Sequence, residues 1–203
     1  GNASAGLSKA RVPQRKRGRD RVAALMAGAA ALFMEKGFEA ATMTEIAARS
    51  GAAIGTLYLF FPTKEALAQA ILAEHAEDLS TRLDALRQRT EGLSADTIAG
   101  ALFSLLGDFL AEHPVYSALL DLTGDESWRR AMRARRRQQI AALFSQAKPC
   151  LPEGQAERLA VIVPQLMRIP LSLSGEARLR EGVLEELRVM LCRHLQSDVG
   201  EHI

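Results

Sequence analysis

The stretch "TMTEIAARSGAAIGTLYLFFPTKEAL", Thr42 to Leu67, decides how this chain folds. Thr42 stands three residues before Glu45, the spacing of a capping box: the hydroxyl satisfies one orphan amide of a new helix and the carboxylate reaches back to another. A short helix over 43–50 follows, and Gly51 ends it because glycine turns left-handed without a Cβ penalty. Ile54 to Phe61 then reads as a second short helix. Pro62 stops it by disfavouring helical geometry in the residue before it. This second segment is odd. It is too apolar for a free surface helix, yet Gly55, Thr56 and Tyr58 interrupt it.

Ile46, Ala47, Gly51, Ala52, Leu57 and Phe60 fall at the intervals of a helix-turn-helix, two helices crossing at about 90–120° through a tight turn. Small Ala47 lets the backbones approach, Gly51 makes the turn, and the apolar residues interlock beneath. On spacing alone, an ordinary helical hairpin with packed aromatics fits as well. Two observations favour a nucleic-acid partner. No acidic residue lies between Arg49 and Lys64, so nothing there repels phosphate. Thr42, Thr56, Tyr58 and Lys64 place donors at helix ends and on one short face, the groups that fix a protein to phosphates.

Upstream, residues 1–18 mix Gly, Ser, Pro and charge without periodicity and read as a flexible basic arm. Val22, Leu25, Met26, Ala29, Leu32 and Phe33 recur at helical spacing, so a helix is expected over 19–36, with Gly37 as its stop. Charge is unevenly divided. Residues 1–64 hold ten Lys/Arg against four Asp/Glu, whereas the remainder holds sixteen against twenty. A basic head on an acidic body is the footprint of a polyanion-binding module joined to something else.

Downstream, Thr63 caps a long helix through Leu67, Ile71, Leu79, Leu83 and Leu86. Further helices are expected over 95–112, 114–122, 125–147, 154–172 and 176–196, the breaks falling at Gly, Pro and Ser clusters. Ala and Leu abound and β-branched residues are sparse, which favours helix over strand. The expected fold is therefore all-α: a three-helix head, 19–64, on a larger helical body, 65–203, with about nine helices in total for helices of ordinary length.

The head resembles the TetR family of transcriptional repressors. "FEAATMTEIAARSGAAIGTLYLFFPTKEAL", Phe38 to Leu67, matches the family's Phe-x-x-x-Thr-x-x-x-Ile-Ala followed by Gly-x-x-x-Gly-Thr-Leu-Tyr-x-x-Phe-x-x-Lys. The resemblance covers residues 19–72; beyond them it lies only in helix number, length and order. It implies a homodimer whose short recognition helices enter successive major grooves of double-stranded DNA. By position, Ala53, Ile54, Gly55, Thr56 and Tyr58 would face DNA. Thr42, Thr56, Tyr58 and Lys64 would hold phosphates, and Arg15, Lys16, Arg17 and Arg19 would reach an adjacent minor groove. One departure stands out: where the family often has polar residues, this chain has Ala53, Ile54, Leu59 and Phe60. Base preference would then come from apolar contact with thymine methyls, from backbone approach, or from the arm.

The resemblance also implies a small, often apolar ligand held in the body. Candidate linings are Phe103, Leu106, Phe109, Tyr116, Leu120, Trp128, Met132, Met167 and Arg168, although such stripes are more often plain core. Arg129, Arg130, Arg133, Arg135, Arg136 and Arg137 read as a solvated face answered by neighbouring acids. The last two helices offer a dimer surface through Leu159, Ile162, Val163 and Leu166 on one and Leu184, Leu187 and Leu191 on the other, as in a four-helix bundle.

No cofactor, metal site or enzyme signature is expected. The four histidines lie far apart and no Gly-rich phosphate loop or nucleophile elbow is present. Cys150 and Cys192 lack metal or disulfide spacing and suit a reducing, cytoplasmic setting. No membrane span is expected, since uncharged runs such as Val22 to Met34, 13 residues, fall short of the requirement of about 18; nor does an apolar signal-peptide core precede it. The function read from the sequence is a ligand-released transcriptional repressor. The alternative is a helix-turn-helix protein acting architecturally or through a protein partner, without ligand control.

Overall fold

The computed structural model describes the backbone of residues 7–122, 126–173 and 175–197, and the side chains of 15–122, 126–173 and 175–196. Among these residues the elements are α1 (Leu7–Lys36), α2 (Met43–Arg49), α3 (Ile54–Phe60), α4 (Lys64–Arg89), α5 (Ala95–Glu112), α6 (Pro114–Leu120), α7 (Glu126–Ser145), α8 (Gln155–Leu166), a 3-10 turn at Pro170–Ser172 and α9 (Ala177–Ser197). The all-α expectation holds, with no strand among the described residues.

Two boundaries differ from the sequence reading. The aperiodic arm expected over 1–18 is helical from Leu7 onward, while residues 1–6 lie outside the described range. Arg, Lys and Gln are good helix formers, and extending an existing helix adds one bond per residue without the cost of a nucleus. Such an extension needs no apolar stripe, so periodicity could not reveal it. The helix expected over 154–172 stops at Leu166 instead. Pro170 has no amide hydrogen to return to that carbonyl, and a 3-10 turn takes over.

The chain divides into two compact units, 1–75 with 114–124, and 76–113 with 125–203. The sequence reading set its boundary at Lys64, whereas the compact units divide within α4, after His75. α6 joins the first unit, where it packs on α1.

In the first unit, Leu25, Ala29, Leu32 and Phe33 of α1 are buried together with Ile46, Leu57, Leu67 and Ile71. The capping box forms as expected: the Glu45 amide donates to Thr42 Oγ1 at 3.2 Å and the Thr42 amide donates to Glu45 Oε2 at 3.0 Å. Bonds from Lys36 and from Thr42 hold the Glu45 carboxyl below its ordinary range. α1 and α2 approach closely at Gly28, where an added Cβ would stand 2.3 Å from Ser50 Oγ. That hydroxyl donates to the Ile46 carbonyl at 2.7 Å.

In the second unit, α5 packs on α9 and α7 on α8. Asp78 sits between Arg82, at 3.0 Å, and His113 Nε2, at 2.9 Å, while Arg82 also bonds Glu112. Burial alone would raise the Asp78 pKa; the bonds from Arg82 and His113 outweigh it and hold the carboxyl below its usual value.

A methyl at position 28 can enter only by displacing the Ser50 hydroxyl from its carbonyl. Gly28→Ala is expected to lower stability by about 1–2 kcal/mol, since overpacking outweighs the gain in helix propensity. Ser50→Ala in the same chain should recover most of that loss. Thermal unfolding of the two single variants and the double variant measures the coupling; simple additivity would show that α1 and α2 do not meet here.

Candidate nucleic-acid interface

The orientation of α3 follows from one turn and one buried side chain. Gly51 adopts φ 65°, the left-handed conformation, and the Ala52 amide closes the turn onto the Ala47 carbonyl at 3.0 Å. α3 packs on α2 through Leu57, which is fully buried, and Phe61 just beyond the helix is also buried. Phe60, expected to interlock beneath the turn, is instead exposed. Phe61 takes the inward place, one helical turn from Leu57.

Everything else on α3 faces outward. Ala53, Ile54, Gly55, Tyr58 and Leu59 are exposed and Thr56 is half-buried. Tyr58 is 50% exposed. Nothing lies within 4 Å of where a Cβ on Gly55 would stand, which leaves the backbone there open to a close neighbour. The resulting surface is acid-free and presents hydroxyls at its flank. Leu59 is 79% exposed and was not among the sequence candidates. Its position two residues from a fully buried Leu57 was the available signal.

Two residues assigned to phosphate are engaged within the head. Lys64 Nζ donates to the Phe38, Glu39 and Ala41 carbonyls at 2.7, 3.2 and 3.1 Å, and lies over the Phe38 ring, 4.5 Å from its centroid. An ammonium has three donors, and all three are engaged. Lys64 therefore clamps the α1–α2 connection against the start of α4. The Thr42 hydroxyl donates to Glu45 Oε2 at 3.0 Å while accepting from the Glu45 amide, so its proton also serves the cap.

Two other cations of the head are held within it. Arg49 forms a two-pronged bond to Glu35 at 2.7 and 2.5 Å, and Lys36 meets Glu45 at 2.6 Å. Arg15, Lys16, Arg17 and Arg19 are exposed. They stand on a helix rather than a pliable arm. Arg15 and Arg19 share the face of α1 that continues into Val22 and Met26, and this face lines a groove with Phe60 and Phe61. The groove joins part of the basic surface to the end of α3; Lys16 and Arg17 lie on other faces of α1.

The body candidates are less coherent. Tyr116 and Leu120 belong to the first unit and the other seven to the second. Phe103, Leu106, Phe109 and Met167 are buried, Trp128 and Met132 are half-buried, and Arg168 is exposed. On α7, Arg129 and Arg133 bond Glu126 at 3.1 and 2.9 Å, and Arg135 bonds Glu77 at 2.9 Å. Of the dimer candidates, Leu159, Val163 and Leu191 are buried within their own chain and have no surface left to offer a partner. Leu166, Leu184 and Leu187 are half-buried and Ile162 is exposed.

Fold and site together define a helix-turn-helix DNA-binding head on an all-helical body. Residues 25–71 match the family described as bacterial regulatory proteins, tetR family. Among solved structures, the chain is similar to CprB from Streptomyces coelicolor, solved in complex with its biological operator sequence, at 25% identity and TM-score 0.65, covering 87% of this chain and 88% of that one. FadR from Bacillus subtilis, in complex with stearoyl-CoA, aligns at 17% identity and TM-score 0.68 over 85% of this chain and 96% of that one. The MbdR regulator from Azoarcus sp. CIB aligns at 23% identity and TM-score 0.64, covering 85% and 97%. Comparison with curated protein sequences gives no match. The family match lies in the helix-turn-helix head, and the likeness of the chain to these solved structures is one of fold. Among the described residues no helix is long and apolar enough to cross a membrane, and no cluster of side chains is suited to a metal ion.

The two kinds of contact separate experimentally. Lys64→Ala is expected to destabilise the head by about 1.5–3 kcal/mol, the range for hydrogen bonds to a charged group, and to leave the salt dependence of DNA binding unchanged. Tyr58→Phe should leave thermal stability unchanged and weaken binding to all duplexes by a similar factor. Unfolding curves paired with binding titrations across salt test both; a salt slope lowered by about one in Lys64→Ala would return that residue to the phosphates.

Proposed function

We propose that this protein is a homodimeric repressor that binds a palindromic operator in double-stranded DNA through α3, and that a small, largely apolar molecule in the body releases it. The observation that carries the reading is the outward face of α3: exposed, free of acids, anchored by Leu57 and flanked by the hydroxyls of Thr56 and Tyr58. The basic surface of α1 supplies counter-charge for phosphate. Such a protein acts in the cytoplasm, where the DNA is.

Dimerisation is supported by the apolar residues that α8, α9 and the turn between them leave in water. Ile162, Ile169, Leu179 and Met190 are 46, 47, 51 and 60% exposed, and an accumulation of this kind marks an interaction surface. A twofold pair is the commonest assembly and would present two copies of α3 to two half-sites. Their centres would be about 34–36 Å apart, one turn of duplex.

For the ligand, the support is the fold shared with FadR, whose structure holds stearoyl-CoA. α4 contributes residues to both units and is the covalent route by which occupancy of one would bias the other. A ligand acts only by its differential affinity for the two arrangements, typically worth about 1–3 kcal/mol.

Genomic fragments retained by the purified chain, followed by titration of the recovered sequence in a mobility-shift assay, test DNA binding. Long-chain acyl compounds that stabilise the protein and lower operator affinity about 10- to 100-fold would support release. Ligands that bind without changing affinity would leave the architectural reading in its place. Ile162→Glu with Met190→Glu should give a monomer in sedimentation and lower operator affinity more than a hundredfold. A dimer that survives both substitutions places the interface elsewhere.

A further inference from the structure

We infer that Leu59 is the side chain by which α3 selects sequence, and that it selects thymine through the C5 methyl group in the major groove. The inference rests on the DNA-binding reading above and adds to it the reading residue and the base.

The argument begins with helical phase. At 3.6 residues per turn, Leu59 lies about 160° around α3 from Leu57. Leu57 is fully buried, so Leu59 is at the crest of the outward face, 79% exposed. It is the most exposed of the large apolar side chains among the described residues. One turn earlier on the same line stands Gly55, with no side chain and nothing within 4 Å of a Cβ position. A surface approaching α3 therefore meets bare backbone at one turn and a single aliphatic group at the next.

The rest of α3 supplies no bidentate base reader. Its sequence, IGTLYLF, has no Arg, Lys, Asn, Gln, Asp or Glu, so the bidentate pairings to guanine or adenine are absent. Tyr58 lies about 100° from Leu59 on the flank of the helix, where a hydroxyl meets phosphate rather than a base edge. Thr56 is half-buried. Of the groups that a base pair displays in the major groove, only the thymine methyl is apolar. An aliphatic side chain at the crest gains by covering that methyl and loses by covering donors and acceptors it cannot satisfy. Burial of one methyl-sized group changes affinity roughly fourfold. Two symmetric contacts in a twofold complex raise this to on the order of tenfold.

The test uses the full chain. Duplexes are selected from a random library, and each thymine of the selected site is replaced in turn by deoxyuridine, which lacks the methyl and keeps the same hydrogen-bonding edge. One thymine per half-site is expected to be sensitive, costing roughly fourfold for each replacement, and Leu59→Ala should bind the thymine and uracil versions equally. Leu59→Gln should move the preference at that position toward adenine. Both variants should melt like the parent, since the side chain is in water. Deoxyuridine replacements without effect, or effects that persist undiminished in Leu59→Ala, overturn the assignment of Leu59 while leaving DNA binding intact. A parent chain that retains no duplex overturns the underlying reading instead.

Discussion

The burial of Leu57 constrains more of this molecule than its size suggests. A seven-residue helix is too short to be stable alone, so α3 exists because one face is held against α2. That burial is worth about 1.5–3 kcal/mol. Once Leu57 points inward, helical phase leaves no freedom for its neighbours. Gly55 and Leu59 must point out, and Tyr58 must stand at the edge. Gly51, with φ 65°, and the bare approach of α1 to α2 at Gly28 are the backbone conditions that let this packing form. The same interaction that stabilises the head therefore also composes the surface offered to a duplex.

Charge in the head is divided by task. Lys36, Arg49 and Lys64 serve the fold, each held by a carboxylate or by carbonyls. Arg15, Lys16, Arg17 and Arg19 are left in water on the first turns of α1 described with side chains. The division has a physical basis. Cations near the crossing helices have carboxylates and carbonyls within reach, whereas those at the start of α1 are exposed. A basic count by itself therefore overstates the surface available to a polyanion.

Fold and site were legible to different depths. Helix caps and stops are local: Thr42 with Glu45, Gly51, Pro62 and Thr63 each act within a few residues, and the structure bears them out. The resemblance carried by Phe38 to Leu67 was legible for the same reason. The start of α1 was not, because a helix propagated outward from a buried segment has no periodicity of its own. Nor was the fate of Lys64, whose three acceptors lie more than twenty positions earlier in the chain.

The body shows the limit most clearly. Apolar spacing marked both Leu159 and Ile162 as surface for a partner, yet one is buried in its own chain and the other is 46% exposed. Periodicity says that a residue seeks an apolar neighbour, not which neighbour. By itself the sequence determined where most helices begin and end, that the fold is all-helical, and that a helix-turn-helix stands near the start. Those outcomes depend on capping, propensity and spacing within a turn or two. The tertiary structure alone decided which cations are occupied, which unit α6 joins and which leucines remain in water. Those depend on groups distant in the chain competing for the same acceptors and the same buried volume.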